Sequence, residues 1–323
     1  MCAEGGVPTP FGCEFPSSAE EGWLKAGVVD LDLNRLLCPI GFGFFLGAAC
    51  DIFVYCRRYV GASTFPMPLV ETEAIVLRTY RLGEADKIVS LFTRQMGRTR
   101  AVASGAQRTK SRYGGSLESL SYVRLWVFER ENRDLGRLNA VEIIESFFDM
   151  QKDYASHVAA QYVAEVVEQL LPERDINERA FRLVLVVLRA LKRSREVERP
   201  LLYFDYWILR LAGFLPDLTV CTACGRSFQA ETAYYADNLP GLVGLECRQG
   251  TMAGARAMSA KSLGDVQRAC ATSLDKWMAE PMKPSGINEV RRFLESIVEA
   301  QAERKLITRG LISEVTEDAS GNR

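Results

Sequence analysis

At Phe148 the spacing of apolar residues changes from the period of a strand to the period of a helix, and that switch divides the chain. Upstream of it, EAIVLRTY (73–80), DKIVSLFT (86–93) and RTRAVAS (98–104) read as short β-branched strands. Gly83-Glu84-Ala85 and Gln95-Met96-Gly97 separate them as hairpin-like connections. LSYVRLWVF (120–128) and the stretch from Leu138 to Ile144 continue the pattern. About five short strands in succession over 70–148 suggest a small barrel.

Downstream, Tyr154, Val158, Tyr162, Val166 and Leu170 recur every four residues, flanked by Ala155, Ala159, Val163 and Val167. This is the wide apolar stripe of a core-facing helix, ended by Pro172. Arg179 to Arg193 predicts a second helix, and Pro200 opens a third that leaves at Gly213. Residues 259–279 and 287–307 predict two more. The expected class is α+β multidomain: a barrel over 68–148, and a helical domain over 149–217 and 256–312. A cysteine knuckle is inserted at 218–255, and a flexible tail follows at 313–323.

Residues 1–67 do not share either period. They hold Cys2, Cys13, Cys38, Cys50 and Cys56, and an apolar run from Pro39 to Tyr55 that Asp51 interrupts short of the roughly 20 residues a spanning helix needs. Glu4, Glu14, Glu20, Glu21, Asp30 and Asp32 stand where a secretory signal carries basic residues. The segment is read as a mis-assigned start with Met67 as initiator, or else as a natural extension. Nine cysteines without framework spacing fit a reducing, cytoplasmic setting.

The formal net charge of −1 conceals a local excess. From Lys87 to Gly115 the chain carries Lys87, Arg94, Arg98, Arg100, Arg108, Lys110 and Arg112 and no Asp or Glu. A solvated face paired with acids from another segment is the ordinary reading of such a run. Here small residues (Ser104, Gly105, Ala106, Gly114, Gly115) and the aromatics Tyr80, Phe92 and Tyr113 accompany it. Charge, close backbone approach and stacking surfaces together point to single-stranded nucleic acid.

Cys221-Thr-Ala-Cys224-Gly225 has the spacing and glycine of a zinc knuckle, with Cys247 downstream. The position three beyond Cys247 is Gly250, so a four-ligand set lacks one member. Zinc with a carboxylate such as Asp237 or Glu246 or with water, a knuckle folded without metal, and a redox pair all stay open. There is no glycine-rich phosphate loop, no GxSxG and a single histidine, His157, placed at a polar edge of the first helix. Glu142 and Glu145 read as surface charge, so no catalytic residue is assigned and no enzymatic activity is expected. An RNA-binding or translation-related barrel and a thiol-dependent enzyme on Cys221 and Cys224 are the rival readings.

EAIVLRTYRLGEADKIVSLFT (73–93), ASGAQRTKSRYGG (103–115), AAQYVAEVVEQLLPE (159–173) and YFDYWILRLAGFLPDLTVCTACG (203–225), in this order, resemble the RecO family over about residues 68–312. The resemblance implies an OB-fold barrel, a helical domain and a zinc knuckle in a protein of DNA repair and homologous recombination. It implies binding of single- and double-stranded DNA and annealing of complementary strands. It further implies work with RecR and the C-terminal tail of single-stranded DNA-binding protein to help RecA onto coated single strands, in the cytoplasm at the nucleoid. Carried over by position, the DNA residues are Lys87, Arg94, Arg98, Arg100, Arg108, Lys110 and Arg112, with Tyr113 to stack. Arg189, Lys192, Arg193 and Arg195 are the candidate basic rim for an acidic, apolar peptide.

Overall fold

The computed structural model describes residues 69–128, 135–194, 196–228, 231–236, 239–248, 254–279, 284–312 and 314. The assignments made for residues 1–67, Arg195, Asp237, Gly250 and most of the tail lie outside them.

Strands β1 (Leu69–Leu82), β2 (Asp86–Thr93), β3 (Gly97–Ala103), β4 (Tyr122–Phe128) and β5 (Leu135–Glu145) close into a barrel in the order β1-β2-β3-β5-β4. All neighbours are antiparallel except β3 and β5, which is the strand order of an OB fold. Closure follows from the alternation of side chains. Ala74, Val76, Val89, Leu91, Ala101, Ala103, Val123, Leu125 and Val127 point inward and form one apolar cluster. Gly136 lies where β5 meets β3: a Cβ there would stand 2.9 Å from Val127 Cγ2.

Ile75, Leu77, Phe92 and Tyr122, of the opposite parity, join a second cluster with the helices. Part of the barrel is therefore buried on both faces, which is why residues 74–77 of β1 show no alternation in burial. The helices that cover it are α1 (Tyr154–Leu170) and α2 (Glu178–Ser194), whose Phe181 meets Phe92 and Tyr122, and α3 (Glu198–Leu211) packs against α2. Asp153 caps α1 by accepting from the Ser156 N–H at 3.1 Å, and Asn177 accepts from the Ala180 N–H at 2.9 Å at the start of α2. α1 is buried along most of its length and runs through the middle of the domain. Its Tyr162 hydroxyl donates to Asp205 of α3 at 2.9 Å.

After the knuckle, whose two short strands β6 (Ala233–Tyr235) and β7 (Arg256–Met258) pair antiparallel, come α4 (Ala260–Cys270), α5 (Leu274–Ala279) and α6 (Pro284–Ala302). The single helix expected over 259–279 is two. The break at 271–273 turns Leu274 and Trp277 into the core, where the Trp277 ring lies 6.1 Å from that of Tyr203. α6 stops short of the expected 307, because Glu303 takes φ +53° and the chain starts a new helical turn at 307. Glu165 of α1 receives that turn, accepting from the Ile307 and Thr308 N–H groups at 3.0 Å each. Among the described residues no helix is long and apolar enough to cross a membrane.

Candidate nucleic-acid interface and cysteine cluster

The barrel's basic run divides into two groups once its neighbours are seen. Arg94 reaches Glu73 at 3.2 Å and Glu178 at 2.6 Å. Arg98 donates from Nε to the Leu171 carbonyl at 3.0 Å and pairs with Glu173 at 3.6 Å, where Arg100 joins it at 3.2 Å. Arg98 and Arg100 clamp the barrel to the segment between α1 and α2, and Arg94 clamps it to the first residue of α2. Their acids come from outside the run, so the absence of Asp and Glu within it did not mean unopposed charge. The expectation that all seven cations are free is corrected for Arg94, Arg98 and Arg100.

Lys87, Arg108, Lys110 and Arg112 form the other group. A single turn-on-turn contact positions them. The Gln107 N–H donates to the Ala85 carbonyl at 2.9 Å, its side-chain amide to the Asp86 carbonyl at 2.6 Å, and the Gly105 N–H to the Asp86 carboxylate at 2.7 Å. The loop after β3 is thus pinned to the β1–β2 turn at one end of the barrel. Gly105 holds φ +74° there, and a Cβ at this position would stand 3.7 Å from Cδ of the Arg108 side chain. Arg108, Lys110 and Arg112 are exposed, and Lys87 is half-buried opposite Ala103 of β3. Arg81, exposed and opposite Lys87 in the β1–β2 register, adds a fifth cation that lies outside the run read from the sequence. Its signal was present: Arg81 and Lys87 flank the Gly83-Glu84-Ala85 turn symmetrically.

The aromatics are sorted differently from the expectation. Tyr113 is 3% exposed, belongs to the barrel's inner cluster and donates its hydroxyl to the Leu138 carbonyl at 2.9 Å. It fills the barrel end rather than offering a face to a base, and Arg112 lies against it with its guanidinium carbon 4.9 Å from the ring centre. Phe92 is wholly buried, its ring 5.7 Å from that of Phe181. Tyr80, exposed near the tip of the same hairpin, is the one of the three that presents a ring to solvent.

Arg189 and Lys192 both pair with Glu145, at 2.9 and 3.8 Å, and Arg193 pairs with Asp275. They tie α2 to the end of β5 and to α5. In the chain on either side of Glu145, Ile143, Ile144, Phe148 and Tyr154 are exposed apolar side chains.

In the knuckle, the Sγ atoms of Cys221, Cys224 and Cys247 lie within 4.8 Å of one another. Gly225, at φ +73°, makes the turn that brings Cys224 back over Cys221, and the Gly244 N–H donates to Cys221 Sγ at 3.4 Å. Burial pushes the Cys221 thiol up, but N–H groups of Gly244, Cys224 and Ala223 outweigh it and bring the thiol down to about 7. Hydrogen bonds to Cys224 and Cys221 push Cys247 up to about 11. Three thiols gathered with inward-pointing amides can hold a metal ion. Glu246, a candidate fourth ligand, is instead paired with Arg226 at 2.8 Å. His157, on α1, is not part of the group.

Comparison with known proteins matches residues 67–147 to the family described as recombination protein O, N terminal, and residues 151–309 to recombination protein O, C terminal. The DNA repair protein RecO of Koribacter versatilis is 38% identical over 240 residues, covering 74% of this chain and 96% of that protein. That of Symbiobacterium thermophilum is 33% identical over 251 residues, covering 74% and 95%. The two matched regions abut at the place where the barrel ends and the helices begin, and together with the relatives they establish that the chain belongs to the RecO family.

Proposed function

We propose that the chain is a non-catalytic mediator of DNA repair and homologous recombination that binds DNA at the end of its barrel. The observation that carries this reading is the pinned loop with Arg108, Lys110 and Arg112 exposed beside Lys87 and Arg81. Phosphates are met by these cations, and Tyr80 supplies a ring at the tip of the hairpin. No base edge needs to be read, so binding is independent of sequence and accepts single and double strands.

Two strands held on such a surface have their mutual repulsion lowered, which favours annealing. Annealing complementary strands, and helping RecA onto protein-coated single strands together with RecR and the tail of single-stranded DNA-binding protein, complete the role, in the manner of the RecF pathway. The test is annealing of two labelled complementary oligonucleotides. The wild-type chain is expected to accelerate it, and the Lys110→Glu/Arg112→Glu double variant to lose most of that acceleration while its circular-dichroism spectrum stays that of the folded chain. Equal acceleration by both proteins removes the barrel end as the site. Running the same titration with RNA of one sequence separates this reading from an RNA-binding barrel.

Zinc belongs to the same reading as a structural ion held by Cys221, Cys224 and Cys247. A tetrahedral ion with Zn–S of about 2.3 Å spaces its sulfurs by roughly 3.8 Å, which the observed cluster accommodates. When bound, the ion supplies a cross-link between the Cys221–Cys224 turn and the turn around Cys247. The residues themselves orient it: the Gly244 N–H and the turn at Gly225 hold the Cys221 sulfur inward.

A further inference from the structure

The cations at the barrel end have an acid among them. Asp86 directly precedes Lys87 and faces Leu82 across the β1–β2 turn. By charge alone, a carboxylate beside a phosphate-binding surface weakens binding, because it repels the backbone it stands next to. Its hydrogen bonds give Asp86 the opposite role.

The Asp86 side chain is half-buried and accepts from the Gly105 N–H at 2.7 Å, the short distance of a bond to an ionised acceptor. Its backbone carbonyl accepts from the Gln107 side chain at 2.6 Å. Arg108 closes a turn on Gly105, its N–H donating to the Gly105 carbonyl at 3.2 Å, so fixing Gly105 fixes the turn that carries Arg108 and leads to Lys110. The far end of the loop has its own anchor: Tyr113 is buried and bonded to the Leu138 carbonyl, and Arg112 lies against its ring. Asp86 therefore governs the near half. Gly105, at φ +74°, is the residue that gains most freedom when the bond is cut.

We propose that Asp86 is a positioning residue for DNA: its carboxylate holds the loop so that Arg108 and Lys110 are preset to meet phosphates, and this outweighs its own repulsion of them. The proposal rests on the DNA-binding reading of the barrel end and adds to it. A loop fixed in advance avoids the ordering cost that a free loop meets on binding. Charge and positioning predict opposite signs for the loss of Asp86.

The test is fluorescence anisotropy of a labelled oligothymidylate with the full-length chain at several salt concentrations, beside hydrogen exchange of the loop without DNA. Asp86→Ala removes a negative charge, yet is expected to bind about tenfold more weakly at low salt. Its slope of log affinity on log salt should fall from about 3.5 to about 2.1 as Arg108 and Lys110 drop out. Exchange over 104–110 quickens in the same variant. Asp86→Asn keeps an acceptor oxygen without the charge and is expected to restore both the slope and the slow exchange. Tighter or unchanged binding by Asp86→Ala overturns the proposal; so does an Asp86→Asn variant as weak as Asp86→Ala, since the acceptor would then not be what holds the loop. If circular dichroism shows that Asp86→Ala does not fold, Gln107→Ala takes its place, cutting the other side-chain bond between the same two turns with no change of charge. Weaker binding with a lower slope in that variant supports the proposal, and binding equal to wild type overturns it. A wild-type chain without salt-sensitive binding overturns the DNA-binding reading and the proposal together.

Discussion

Replacing Gly97 with alanine tests how the barrel is joined to the helices. Gly97 opens β3 at φ +65°, a backbone conformation that costs a residue with a Cβ roughly 1 kcal/mol. The larger cost comes from contact: an ideal Cβ at Gly97 stands 2.0 Å from the Asp175 carbonyl oxygen and 2.5 Å from its carbon. These are backbone atoms, and the Arg174 N–H beside them donates to the Arg98 carbonyl at 2.8 Å, so the segment cannot yield without breaking the junction. Forcing a methyl into a packed site costs about 1–3 kcal/mol. The sum is about 3 kcal/mol, which for a folded region of this size lowers the melting temperature by roughly 6–12 °C. The assay is thermal unfolding followed by circular dichroism, with Gly83→Ala as the control. Gly83 shares the positive φ, at +61°, but a Cβ there would meet no atom within 4 Å, so it isolates the conformational part. Equal shifts for the two variants would refute the close contact between the β2–β3 turn and Asp175 as the reason for glycine.

Two further outcomes follow from buried carboxylates. Burial, and then Glu295, holds the Asp205 carboxyl well above the usual range. The folded chain therefore keeps a proton that the unfolded chain releases above about pH 4, so this group's stabilisation is complete below that pH and is lost as pH rises toward the folded value. Asp205→Asn keeps the shape without the titration, and its melting temperature relative to wild type should rise from pH 5 to pH 8; a constant difference contradicts the assignment. For Glu165 burial acts upward, but hydrogen bonds from Thr308 and Ile307 outweigh it and hold the carboxyl below its ordinary value. Its contribution is present above about pH 4.3 and is lost on acidification. Glu165→Ala leaves the Ile307 and Thr308 N–H groups unanswered, at about 2 kcal/mol, and hydrogen exchange should quicken over 307–312 first.

The architecture was legible because it rests on local periods. The strand-to-helix switch at Phe148, the proline after α1 and the hairpin glycines all lie within a few residues of what they determine. The pairing of Cys221 and Cys224 was legible for the same reason, since a two-residue spacing turns both sulfurs one way, whereas Cys247 is brought to them by the fold of the knuckle from 23 residues further on. The charged site was legible only in outline. Which cations are paired depends on Glu73, Glu173 and Glu178, and two of these belong to the helical half of the chain, brought to the barrel by packing rather than by sequence proximity. The aromatics failed for a related reason: Phe92 and Tyr113 carry no mark in the sequence to say which side of a closed sheet they occupy. The hairpin register, which pairs Arg81 with Lys87, recovers a cation that a scan for unbroken basic runs passes over.

Whether Arg81, Lys87, Arg108, Lys110 and Arg112 meet a phosphate backbone can be read from fluorescence anisotropy of a labelled single-stranded oligonucleotide at several salt concentrations. Five neutralised phosphates on a single strand give a fall of log affinity with log salt at a slope of about 3.5. Wild type is expected to show that slope, and the double variant with Lys110 and Arg112 both replaced by alanine a slope lower by about 1.4. Binding that is absent, or that salt and this double variant leave unchanged, would rule out the barrel end as the place where DNA is held.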